Sequence, residues 1–82
     1  MRRSIDDDVV PSPPVDDPVP EACWSVGISD DYEDAEPRVQ VVVEERGAAG
    51  EGLVLHLDAD RARRLRLALA SALDELGEDP GR

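Results

Sequence analysis

Eighty-two residues with a formal net charge of -11 leave room for one small domain and argue against binding to nucleic acid, which needs cations to displace counterions from phosphate. All nine basic residues are Arg, Phe is absent, and Trp24 and Tyr32 are the only aromatic side chains, so any core must be aliphatic. The single cysteine, Cys23, excludes an internal disulfide and a Cys-based zinc site, and points to a reducing compartment.

Residues 1 to 21 read as a disordered acidic tail. Pro11, Pro13, Pro14, Pro18 and Pro20 oppose helix and ladder, and Asp6, Asp7, Asp8, Asp16 and Asp17 repel one another. The scattered valines offer no periodic apolar face, so deleting this stretch is expected to leave folding unchanged. An acidic Ile5-Asp6-Asp7-Asp8 follows the opening Met-Arg-Arg-Ser where an export signal would need an apolar run. With no stretch of about 20 apolar residues either, the expectation is a cytoplasmic protein without a membrane span.

From Cys23 the pattern alternates. Trp24, Val26 and Ile28 form one face of a strand that Gly27 weakens; Val39, Val41 and Val43 form the second; Leu53, Leu55 and Leu57 form the third. The acidic stretch from Ser29 to Arg38 and the glycine-containing loop from Glu45 to Gly52 connect them. The third strand runs straight into a helix. Asp58 is its N-cap, Gly77 its C-cap and Pro80 its stop. Ala62, Leu65, Leu69, Ala72 and Leu76, widened by Leu73, make the helical stripe that must be buried. The predicted fold is α+β: a three-stranded antiparallel meander followed by one C-terminal amphipathic helix, with a disordered N-terminal tail. The predicted boundaries are 1–21 for the tail, 22–78 for the βββα domain and 79–82 for a disordered C-terminus.

No catalytic constellation emerges. The acidic loop Asp30-Asp31-Tyr32-Glu33-Asp34-Ala35-Glu36 lacks the ligand spacing and central Gly of a calcium loop. His56 has no second His with which to share a metal, Cys23 has no neighbouring base, and the GAAGEG loop lacks the Lys of a phosphate loop. The chain is therefore expected to be non-enzymatic, with no cofactor and no metal.

The helix carries its charges against its own dipole: Arg61, Arg63, Arg64 and Arg66 near the start, Asp74 and Glu75 near the end. An antiparallel pair of such helices would satisfy both ends at once, with Leu67 and Ala70 between them. The expected interface is Arg61, Arg63, Arg64, Leu67, Ala70, Asp74 and Glu75, and the expected partner a second copy. A further protein partner is compatible with the acidic balance.

Between Leu55 and Leu73, the strand ending L-x-L-D followed by A-R-R-L and A-L-A-S-A-L resembles small acidic actinobacterial proteins of regulatory or unknown function, among them BldB-like developmental regulators. The resemblance covers the last third of the chain and implies a non-enzymatic, dimeric protein; it carries over no functional residue. Two functional expectations follow: a homodimeric protein-interaction module with a regulatory role, or an acidic inhibitor or antitoxin-like protein that binds a basic partner through its tail or acidic loop.

Overall fold

A computed structural model describes residues 1–81; Arg82, the end of the expected C-terminal tail, lies outside the described residues. Four antiparallel strands, β1 (Arg2–Val10), β2 (Ala22–Ser29), β3 (Arg38–Glu45) and β4 (Leu53–Leu57), form a meander in chain order, and one helix, α1 (Ala59–Glu75), follows.

The expected three-stranded sheet with a disordered tail is thus corrected. Arg2 to Val10 pair with β2 along its whole length, from Arg2 opposite Ser29 to Val10 opposite Ala22. The physical reason is positional. All five tail prolines fall in the connection between β1 and β2, and the strand itself contains no Pro and no Gly. Every β1 side chain is exposed, so the strand is held by backbone ladder bonds rather than by apolar burial. Charged residues are tolerated on such an edge and protect it from pairing with other chains.

The ladder breaks register between Ser4 and Asp6, where one extra residue bulges from β1. Gly27, opposite Ser4, faces this region: a Cβ placed there would lie 2.9 Å from the carbonyl oxygen of Arg3. Gly27 therefore permits the close approach of β1, instead of merely weakening β2. Gly27→Ala should lower the stability by about 1–2 kcal/mol and the thermal midpoint by roughly 5–15 °C in a domain this small. Thermal unfolding followed by circular dichroism checks this, and a raised midpoint would mean that the β1 contact is absent in solution.

On the helix side of the sheet three rows run across the strands. Trp24, Val43 and Leu53 form one; Val26, Val41 and Leu55 the next; Ile28, Val39 and Leu57 the third. β1 continues these rows with Asp8, Asp6 and Arg3.

The helix starts and stops where its cap residues dictate. The Asp58 side chain accepts the Arg61 N–H at 2.9 Å. At the other end Gly77, at φ +75°, lets its own N–H reach the Asp74 carbonyl and the Glu78 N–H reach the Leu73 carbonyl, the Schellman arrangement.

What the fold lacks is a closed core. No hydrophobic side chain is buried among the described residues; Ser29, at 1% exposure, is the sole buried residue. Leu69, at the centre of the helical stripe, remains 60% exposed, and Leu76, counted in that stripe, is 75% exposed. The chain forms a slab, 46 × 32 × 16 Å, one sheet thick with a helix set loosely over one face.

Candidate interaction surface

Between α1 and the sheet lies an open apolar groove of about 500 Å³. Val26, Val39, Val41 and Leu57 form its floor; Ala62, Leu65, Leu69 and Leu73 form its helical wall. The wall is therefore the 62-65-69-73 part of the expected stripe, and Ala72 and Leu76 do not line the groove. The Trp24–Val43–Leu53 row is outside the groove, and Leu53 is 81% exposed. Arg66 also lines the groove and is its one charged side chain; the rest of the lining is apolar. Such a surface can exclude water against another apolar surface.

The seven residues expected at a helix interface do not share one face. At 100° per residue, Arg63, Leu67, Ala70 and Asp74 lie along one flank of α1, and Arg61, Arg64 and Glu75 lie along the opposite flank. Ala70 also reaches the groove, where it is half-buried. Leu67 is exposed and does not line the groove. Two of the arginines are already engaged within the helix's first turns. Arg61 meets Asp58 at 2.8 Å and Arg63 meets Asp60 at 2.7 Å, whereas Arg64 and Arg66 have no ion pair among the described residues.

The opposite face of the sheet carries a polar cluster that sequence reasoning missed. Tyr32, in the loop between β2 and β3, places its hydroxyl 2.9 Å from His56 Nδ1 and accepts a hydrogen bond from Gln40 Nε2 at 3.0 Å. With one lone pair taken by Gln40, the Tyr32 hydroxyl still has a proton and a second lone pair for His56 Nδ1, so the direction of that bond is set by the imidazole tautomer. The Arg38 guanidinium stacks 4.5 Å from the centre of the Tyr32 ring and reaches both Asp34 carboxylate oxygens, at 2.9 and 2.7 Å. His56 and Gln40 are direct cross-strand partners, so one tyrosine pins the acidic loop to the β3–β4 register. The signal was the lone Tyr in an acidic loop, but only the register reveals its partners.

This cluster ties the loop to the sheet. Cys23 Sγ lies 3.6 Å from the Glu44 carbonyl oxygen, and the nearby Arg46 guanidinium is held by Glu21. Among the described residues, no three of His, Cys, Asp and Glu converge on a point that could hold a metal, and no helix is long and apolar enough to cross a membrane.

The forked hydrogen bond from Arg38, helped by the Glu36 N–H, holds the Asp34 carboxyl down at about 2, against an ordinary value of 3.8. A carboxyl depressed by folding stabilises the fold above its unfolded value, and that contribution disappears as pH falls from about 4 towards 2. Carbon-detected NMR titration should place the Asp34 midpoint near 2 in the native protein. In Arg38→Gln the midpoint should climb back towards the ordinary value. An unmoved midpoint would mean that the fork is not populated.

Comparison with protein families, curated proteins and solved structures returned no match.

Proposed function

We propose that this chain is a non-enzymatic protein-interaction module that works as a homodimer, with a regulatory role in the cytoplasm. The observation that carries the reading is the open apolar face: a sheet of Val and Leu rows and a helix stripe of Leu, with no hydrophobic side chain buried among the described residues. A four-stranded sheet with one helix is close to the lower size limit for independent stability, and an uncovered core makes it marginal. A second copy brings a further apolar sheet and helix alongside, and a two-fold axis gives both copies the same added cover. The groove is apolar but for Arg66, and the resemblance of residues 55 to 73 to small acidic proteins of regulatory or unknown function supports the same reading.

Sedimentation equilibrium from low to high micromolar concentration tests the reading. A dimer is expected, with a thermal midpoint that rises with protein concentration because association stabilises only the folded chain. A monomer whose midpoint is indifferent to concentration would overturn it.

One observation favours a second reading, an acidic inhibitor of a basic partner. Asp6, Asp7 and Asp8 stand together on the exposed β1 edge. An inhibitor of that kind would co-purify with one basic protein in a fixed ratio, and Asp6→Asn with Asp7→Asn and Asp8→Asn would release it.

A further inference from the structure

The geometry points to the free edge of β4 as the seam between two copies, joined antiparallel about a two-fold axis through Leu55. This inference rests on the homodimer reading and names the contact that would make it.

The two edges of the sheet are built differently. β1 presents Arg2, Arg3, Asp6, Asp7 and Asp8 and carries a bulge, the devices that keep an edge from pairing. β4 reads Leu-Val-Leu-His-Leu, with no Pro, Gly, Lys or acid, and Leu53 to His56 are exposed. Among the described residues it pairs only with β3, so no strand lies along its outer side.

The phase of the ladder shows which backbone groups that edge offers. The Arg46 N–H donates to the Glu21 carbonyl, which makes residues 21 and 46 a hydrogen-bonded pair of the β2–β3 ladder. Alternation then turns the N–H and C=O of Gln40, Val42 and Glu44 towards β2, and those of Val39, Val41 and Val43 towards β4. Leu53, Leu55 and Leu57 bond back to β3. Val54 and His56 are left with N–H and C=O directed outwards.

A two-fold axis at Leu55 sets Val54 of each copy opposite His56 of the other, as hydrogen-bonded pairs, so that all the outward groups find partners. It also keeps leucines on one face, with Leu53 opposite Leu57 and Leu55 opposite its own copy. A slip by one residue would put leucines on the outer face. A slip by two would draw either Gly52 or Asp58 into the ladder, and Asp58 is committed to capping α1.

The same axis repairs the cover of the sheet. α1 starts beside Leu57 and leaves the Leu53 end bare. Antiparallel pairing brings Leu57 of the second copy, and the start of its helix, alongside Leu53. Symmetry also runs the two helices in opposite directions, the arginine-rich start of one towards the Asp74, Glu75, Glu78 and Asp79 end of the other.

Cysteine cross-linking of the full chain tests the seam. In a Cys23→Ser background, Leu55→Cys stands at a non-hydrogen-bonded pair, where Cα atoms are about 4.5 Å apart and a disulfide can close. Mild oxidation should convert most of the Leu55→Cys protein to a covalent dimer, and Asp7→Cys on the opposite edge should give none. Val54→Pro removes only an outward N–H; it should raise the dimer dissociation constant about tenfold or more while circular dichroism stays native. A dimer by sedimentation that neither cross-links at Leu55→Cys nor responds to Val54→Pro overturns the seam and leaves the homodimer standing. A monomer at every concentration overturns both.

Discussion

Deleting residues 1–10 should lower the thermal midpoint by about 5–15 °C, the equivalent of roughly 1–2 kcal/mol in a domain of this size. The strand contributes no buried side chain, so its whole effect passes through the backbone. It pairs with β2 from Ala22 to Ser29. By the same ladder phase, Trp24, Val26 and Ile28 direct their N–H and C=O towards β1 and would lose those partners. Cross-strand pairs are worth about 0.2–1 kcal/mol each, much of which ordering of the strand offsets. A second effect follows from what the deletion uncovers. β2 reads Ala-Cys-Trp-Ser-Val-Gly-Ile-Ser, an edge with no charge at all, so the truncated protein should form larger assemblies at concentrations where the full chain does not. Light scattering during size-exclusion chromatography separates the two effects. A truncated protein with an unchanged midpoint and mass would mean that β1 is an ornament on a three-stranded domain.

That experiment also marks where sequence reading fails. The period-two runs around Val26, Val41 and Leu55 and the capping pair Asp58 and Gly77 were legible, because each obeys a local rule that the sheet or helix then satisfies. β1 was not, because its charges satisfy the rule for an edge strand and the rule for a solvated tail equally well. The discriminating signal was the absence of Pro and Gly from residues 2 to 10, set against five prolines in the ten residues that follow. Gly27 was misread for a related reason: its function depends on the Arg3 carbonyl across a ladder that the sequence did not announce. The Tyr32–His56 hydrogen bond joins residues 24 apart and needs the β3–β4 register before it can be seen. For the interface, alternation identified the apolar residues but not their degree of burial. Leu69 looked like a core centre on periodicity alone, and the single chain leaves it mostly in water.

Reversing the charges at one end of α1 should weaken the dimer about 10- to 100-fold at low salt, and reversing those at the other end in the same chain should restore most of it. Arg63→Glu with Arg64→Glu is the first change; Asp74→Arg with Glu75→Arg is the second. Arg63 and Asp74 lie on one flank of the helix, and Arg64 and Glu75 on the other, so one residue of each pair faces the second copy whichever flank is turned to it. The two-fold axis repeats every contact, which doubles the effect of each substitution. Exposed pairs contribute about 0–1 kcal/mol each, so reversing several into like-charge contacts reaches the stated range without any loss of apolar contact. Part of the Arg63 effect is internal to the chain, because this residue also pairs with Asp60. The monomer's own stability, measured at concentrations below dissociation, isolates that part. Salt supplies the second control: at about 1 M the Debye length falls to about 3 Å, and the difference between native and reversed proteins should largely vanish. A dimer indifferent to all four changes would mean that the helices stand apart across the β4 seam, which would then hold by its strands alone.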